Sequence, residues 1–139
     1  MPKYKILIVD DQHWIRIMLD EVLSNSGFKV FRASNYIEAL EIAKNDQPDI
    51  VVLDVNLPDI DGLNLLPKLK MVKPDIQAVF ISGSPDKNYI RKAKENGALG
   101  FFLKPFDILE FATFLRKMTT SGIASRGEGK WEMDGRTMQ

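Results

Sequence analysis

A short stretch near the start of the chain decides the fold: it reads KILIVDD at residues 5–11, an unbroken apolar run that ends in two aspartates. An apolar run without alternation is typical of a strand that is buried on both faces of a parallel sheet. Four further runs begin at intervals of 20 to 28 residues, at 30–31, 50–53, 78–81 and 100–103. Stretches with helical apolar spacing lie between them. The alternation predicts an α/β fold built on a parallel sheet.

The composition argues against several classes of protein. A length of 139 residues suits one domain, and 19 basic residues balance 19 acidic ones, unlike a protein that coats nucleic acid. The absence of cysteine excludes disulfides and thiolate metal sites, and a single histidine, His13, argues against a multi-histidine site. No apolar run approaches the ~20 residues that span a bilayer. The start of the chain does not read as a signal peptide, so we expect a cytoplasmic protein with no membrane partner.

The chain divides by composition near residue 118. Residues 1–118 carry the strand and helix pattern, whereas residues 119–129 are rich in Ser, Thr and Gly, as linkers are. Residues 131–139 could begin a strand pair around Asp134-Gly135. We therefore interpret residues 119–139 as a linker or tail, either an unordered terminus or the start of a truncated effector domain.

Polar side chains stand where the predicted strands end. Asp10 and Asp11 follow the first strand, Asp54 follows the third, Ser82 closes the fourth and Lys104 follows the fifth. In open α/β sheets, ligands bind beyond the carboxyl ends of the strands, where the strand order reverses. If the order is 2-1-3-4-5, that point lies between the first and third strands. A single aspartate there could be a turn residue, but independent turn residues would not supply this whole set at one edge.

Three carboxylates in one cleft repel one another. At ~4 Å, each pair costs roughly 1 kcal/mol in water and about 4 kcal/mol at an effective dielectric of 20. Either some pKa values rise or a cation binds, and oxygen ligands without His or Cys favour Mg²⁺. Lys104 supplies a positive charge, and Ser82 a hydroxyl, that suit phosphoryl oxygens.

Taken together, these residues resemble the receiver domain of two-component response regulators. The resemblance rests on Asp10-Asp11, on DVNLPDIDG at residues 54–62, on Ser82-Gly83 and on Lys104-Pro105-Phe106, and it covers residues 5 to about 118. It implies a flavodoxin-like (βα)₅ doubly wound sheet with strand order 2-1-3-4-5. It also implies phosphorylation on aspartate by a sensor histidine kinase, in a signalling protein whose only catalysis is self-catalysed phosphotransfer and slow autodephosphorylation.

The resemblance assigns a role to each matched position. Asp54 matches the phosphoacceptor, and Asp10, Asp11, Asp54 and the backbone carbonyl of Asn56 match the Mg²⁺ site. The other matched positions are Lys104 and Ser82, which contact the phosphoryl group, Phe101, which forms the switch pair with Ser82, and Pro105, which is commonly in the cis form. Phosphorylation is expected to draw Ser82 toward the aspartyl phosphate. The vacated space lets Phe101 turn inward, which changes the face of the fourth helix, fifth strand and fifth helix.

The resemblance also bears on output. Residues 131–139 look like the first strands of a winged-helix DNA-binding domain. This implies transcription regulation, a homodimer that forms on phosphorylation, and contact with DNA only through an effector domain absent from these residues.

Two other functions use a related arrangement. A phosphatase of the haloacid-dehalogenase type also forms an aspartyl phosphate, but it needs a second acid where this chain has Asn56. A nucleotide- or flavin-binding module needs a Gly-rich loop after the first strand, and Asp10 and Asp11 would repel a flavin phosphate.

Overall fold

Strands and helices alternate as expected in a computed structural model, which describes residues 3–84 and 86–120 and, by their backbone alone, residues 131–133 and 136–138. The strands are β1 (Lys5–Val9), β2 (Lys29–Ala33), β3 (Ile50–Asp54), β4 (Gln77–Ser82), β5 (Gly100–Leu103), β6 (Trp131–Met133) and β7 (Arg136–Met138). The helices are α1 (His13–Asn25), α2 (Tyr36–Asp46), α3 (Gly62–Val72), α4 (Lys87–Glu95) and α5 (Ile108–Thr120).

The strands form one sheet in the order β2-β1-β3-β4-β5-β6-β7, and β1 to β5 are parallel. The predicted flavodoxin-like order 2-1-3-4-5 is therefore confirmed. Because β1 pairs with both β2 and β3, the chain order reverses beside β1. The carboxyl ends of all five parallel strands lie at one edge of the sheet, which is the edge where the candidate residues stand.

The sheet extends two strands beyond the expected five. Strand β6 runs parallel to β5, with Met133 opposite Phe101, and β7 returns antiparallel to β6. The strand pair predicted around residues 134–135 is thus present, although those two residues lie outside the described part of the chain, as do residues 121–130 of the predicted linker. Helix α5 continues two residues beyond residue 118, where we predicted that the domain ends. In its last turn, the Thr119 hydroxyl donates to the Leu115 carbonyl at 3.0 Å.

Both faces of the sheet are covered, which explains the unbroken apolar runs. In β1, Leu7 and Val9 pack into a cluster with residues of α2 and α3, whereas Ile6 and Ile8 pack into a cluster with residues of α1 and α5. All four are fully buried. In residues 3–84 and 86–120, no helix is both long and apolar enough to cross a bilayer.

Side-chain caps set where several helices begin. Asn35 has the predicted capping-box spacing to Glu38, and its Oδ1 accepts from the Glu38 N–H at 2.9 Å. The Glu38 carboxylate accepts in turn from the Ser34 N–H at 2.7 Å, and this bond lowers the pKa of Glu38. Asp61 caps α3 by accepting from the Leu63 N–H at 2.8 Å. That last cap fixes the start of the helix that follows the β3 end.

Candidate functional site

The ends of β1 and β3 bring three aspartates together. Asp10 and Asp11 directly follow β1 and Asp54 ends β3, and one carboxylate oxygen from each lies within 4.8 Å of the others. Asp10 and Asp54 are buried, whereas Asp11 is exposed. The structure thus places these three side chains where the strand order reverses, as the sequence predicts.

Lys104 places its ammonium group between the two buried carboxylates. Its Nζ lies 2.9 Å from Asp10 Oδ2 and 3.3 Å from Asp54 Oδ2, and it donates to Gln12 Oε1 at 2.8 Å. The Lys104 N–H donates to the Ser82 carbonyl at 2.8 Å, so the end of β4 fixes the backbone from which this side chain starts. The result is a largely buried positive charge directed at the carboxylate that could become phosphorylated.

The environment of Asp54 does not favour its charge. Burial raises the pKa of the Asp54 carboxyl above its ordinary value, and the neighbouring Asp10 charge raises it further. The Asn56 N–H, which donates to Asp54 Oδ1 at 2.9 Å, lowers the pKa, as Lys104 does to a smaller extent. An added cation would therefore stabilise the ionised form of Asp54, which is the nucleophilic form.

One buried oxygen supports a metal ion at this place. Asp10 Oδ2 has no hydrogen-bond partner among the described residues, although Lys104 Nζ lies 2.9 Å from it. That one ammonium is shared between Asp10 and Asp54, so it leaves negative charge at the three carboxylates that a cation would offset. Carboxylates from Asp10, Asp11 and Asp54, without His or Cys, form the hard oxygen set that suits Mg²⁺. The residues present therefore fit the predicted cation.

The other predicted residues surround the same strand ends. Ser82 is the last residue of β4 and is fully buried, and its Oγ accepts from Asn56 Nδ2 at 3.0 Å. The Lys104–Pro105 peptide bond is cis, as predicted. Phe101 lies in β5 with 0% of its surface exposed, so the ring is already inside the core. Phe101 packs among the residues of its core cluster, and its predicted turn on phosphorylation stays a prediction.

These groups border an open cleft of about 500 Å³. Its walls include Asp11, Asp54, Asn56 and Lys104, with the half-exposed indole of Trp14 at the side. A carboxylate at the base, a lysine beside it and open space above it allow a phosphoryl group to approach Asp54 from solvent.

Sequence reasoning missed two residues. Gln12 binds the Lys104 ammonium, yet in the sequence it is only a polar residue before a helix, and its place directly after the two aspartates is the one signal it gives. Gly62 starts α3 against the backbone of Asp54 and Val55, where an added Cβ would overlap the Asp54 carbonyl oxygen. The sequence shows a glycine directly after the capping residue Asp61, but it does not show that this glycine lies against the Asp54 backbone.

Comparisons with known proteins agree with this geometry. The sequence profile of the response regulator receiver domain matches residues 6–116. The chain is 40% identical over 117 residues to sporulation initiation phosphotransferase F of Bacillus subtilis (strain 168), and the match covers 84% of this chain and 94% of that protein. It is 36% identical over 112 residues to the transcriptional regulatory protein KdpE of Staphylococcus aureus (strain NCTC 8325 / PS 47), which covers 81% of this chain but 48% of that protein.

A solved structure shows the same fold. The crystal structure of the signal receiver domain of an HD domain-containing protein from Pseudomonas fluorescens Pf-5 superimposes with a TM-score of 0.79 at 28% sequence identity. The superposition covers 86% of this chain and 97% of that one.

Proposed function

The chain belongs to the response regulator receiver domain family, and from that membership we propose that Asp54 is its phosphoacceptor and that Asp10, Asp11 and the Asn56 carbonyl help to hold Mg²⁺. Receivers are signalling proteins phosphorylated on aspartate rather than classical enzymes. The observation that carries the assignment to Asp54 is its position: it is the buried carboxylate that faces the cleft and is within 3.3 Å of the Lys104 ammonium.

The proposed transfer is an in-line displacement at phosphorus. A carboxylate oxygen of Asp54 forms the new O–P bond while the bond from phosphorus to the donor, a phosphohistidine nitrogen on the kinase, breaks and its electron pair stays on the imidazole. Lys104 offsets the charge on the phosphoryl oxygens, and the Asn56 N–H keeps Asp54 Oδ1 oriented. Mg²⁺, when bound, supplies further charge neutralisation to the same oxygens.

The partner that supplies the phosphoryl group is a histidine kinase or a phosphotransferase, as for receivers in general. We assign a sensor histidine kinase as the donor, and a cytoplasmic location remains the prediction from the sequence. The alternative of a haloacid-dehalogenase-type phosphatase is disfavoured by Asn56, whose amide is bonded to Ser82 and cannot act as a general acid.

The output is proposed to be self-association through α4, β5 and α5 after phosphorylation. Strand β6 pairs with β5 at this same sheet edge, so a dimer would use the helices beside the β6–β7 pair or would displace that pair. Transcription regulation through a winged-helix effector is a further proposal. It is supported by the similarity to the transcriptional regulatory protein KdpE, of which the match covers only 48%. The similarity to sporulation initiation phosphotransferase F, of which the match covers 94%, instead supports a receiver that acts alone.

The proposed function is tested by incubating the full chain with Mg²⁺ and acetyl phosphate and measuring its intact mass. We expect the mass of one added phosphoryl group, and no addition when a chelator is in excess, while the circular dichroism spectrum stays unchanged. Full labelling in excess chelator would contradict the metal assignment. Absence of labelling under every condition would contradict the phosphoacceptor itself.

A further inference from the structure

The hydroxyl of Ser82 has no free hydrogen-bonding capacity in this structure. Its Oγ accepts from Asn56 Nδ2 at 3.0 Å and from the Ser84 N–H at 3.0 Å, and it donates to the Ser84 carbonyl at 3.2 Å. A hydroxyl has one donor and two acceptor positions, so all three are used. The residue is also fully buried, so water does not compete for these bonds. To donate to a phosphoryl oxygen, Ser82 must give up its bond to the Ser84 carbonyl, because the hydroxyl has a single proton to donate.

The hydrogen bonds of Ser82 are the contacts of the predicted switch pair that this structure resolves in detail. Phe101, the other member of the pair, is fully buried and offers no polar contact. Movement of Ser82 toward a phosphoryl group would have to change its three hydrogen bonds. Two of them come from the Ser84 backbone in the following turn, whereas the third comes from a side chain on a different strand end.

That side chain belongs to a residue that contacts both parts of the switch. The Asn56 backbone N–H binds Asp54 Oδ1 at 2.9 Å, while its side-chain amide binds Ser82 Oγ. Asn56 therefore joins the carboxylate that would be modified to the hydroxyl that would move. The hydrogen bond from its side-chain amide to Ser82 joins residues 26 positions apart in the sequence and connects the ends of β3 and β4.

We propose that the Asn56 side chain is a positioning residue that holds Ser82 in its unphosphorylated place and so sets how readily the receiver switches. The inference rests on the proposed function and adds a role for the amide that is separate from the backbone carbonyl assigned to the metal. A neutral side-chain hydrogen bond of ordinary strength corresponds to a factor of about two to ten in the switching equilibrium. Removing the amide should favour the switched state by that factor.

The test uses beryllofluoride, a mimic of the phosphoryl group, titrated with Mg²⁺ into the full chain by calorimetry. Asn56→Ala keeps the backbone N–H and carbonyl but removes the amide, and we expect its Kd for beryllofluoride to fall about two- to tenfold. The matched control is Asn64→Ala, which removes an exposed asparagine side chain from α3 and should leave the Kd unchanged.

We call the hydrogen bond from the Asn56 side-chain amide to Ser82 Oγ the latch. A double-mutant cycle separates its effect from that of any direct contact between Asn56 and beryllofluoride. In a Ser82→Ala background the amide has no hydroxyl to hold, so adding Asn56→Ala should change nothing. An NMR readout without beryllofluoride should show the Ser84 amide signal of Asn56→Ala shifted toward its bound position. An unchanged or weaker affinity of Asn56→Ala, or the same tightening in both backgrounds, would overturn the latch. Failure of the unaltered chain to bind beryllofluoride would instead refute the proposed phosphoacceptor site, and the latch with it.

Discussion

Replacing Gly62 by alanine should damage the site without touching any charged group. Gly62 is the first residue of α3, and its N–H donates to the Val55 carbonyl at 2.9 Å, so the helix starts directly against the chain that leaves Asp54. A Cβ at this position would overlap the Asp54 carbonyl oxygen and lie 2.9 Å from Val55 Cα. The neighbours are backbone atoms of a buried strand end, which cannot move aside as a flexible side chain can.

The size of the effect follows from these distances. Ordinary van der Waals contact begins at 3.4 Å, so even the contact with Val55 Cα is about half an ångström too close. Overpacking of this kind costs about 1–3 kcal/mol. The advantage of alanine over glycine applies to the middle of a helix, and Gly62 is the first residue of α3, so little of this cost is offset. We therefore expect Gly62→Ala to lower the free energy of unfolding by roughly 1–3 kcal/mol, and to slow phosphorylation because Asp54 shifts with its carbonyl.

Urea unfolding measures the first effect, and the rate of labelling by acetyl phosphate measures the second. The matched control is Gly83→Ala, because a Cβ there meets nothing within 4 Å although the residue also borders the cleft. Its unfolding free energy should stay within about 0.5 kcal/mol of the unaltered chain. Equal stability of the two alanine variants would refute the close approach of α3 to the Asp54 backbone.

Three further outcomes are expected. Burial raises the pKa of Asp54, so the folded state binds its proton more tightly than the unfolded state and the ionised form destabilises the fold. Asp54→Asn should therefore raise the free energy of unfolding near neutral pH, and this gain should shrink as the pH falls through the folded-state pKa and vanish below the unfolded-state pKa. Urea unfolding measures the change, and a less stable variant at neutral pH would contradict this. Asn35→Ala should cost about 1 kcal/mol in thermal unfolding, because the Glu38 N–H loses its cap, and no loss would mean that the cap is not formed in solution. Sedimentation at several concentrations should show weak association that tightens with beryllofluoride, whereas an unchanged monomer would point to a receiver that acts through a partner.

The sequence predicts the parallel sheet and its acidic edge for a simple physical reason, whereas the strand order came from the family resemblance. Strands buried on both faces must be apolar throughout, so the first polar residue after each run marks the strand end, as Asp10 and Asp54 do. Parallel strands then bring these ends to one edge. The position of each side chain depends only on its distance from the end of a strand, which is visible in the sequence.

What the sequence did not reveal depends on contacts between distant segments. Gln12 accepts a hydrogen bond from Lys104, which lies 92 positions away in the sequence, and the residues around Gln12 do not indicate this partner. The pairing of β6 with β5 depends on an edge that is free only once the sheet has formed. Gly62 is recognisable as a glycine after a cap, but its need for a missing Cβ appears only when α3 lies against Val55.

Identification of the phosphorylated residue tests the central claim most directly. The full chain is incubated with Mg²⁺ and acetyl phosphate, the acyl phosphate is trapped by borohydride reduction, and the modified peptide is sequenced by mass spectrometry, in parallel with Asp54→Asn. We predict modification of Asp54 alone, and none in the variant, because Asp54 is the acidic residue at the end of β3 beside Lys104. Labelling that persists in Asp54→Asn, at Asp59 or Asp61 in the following loop, would contradict the account.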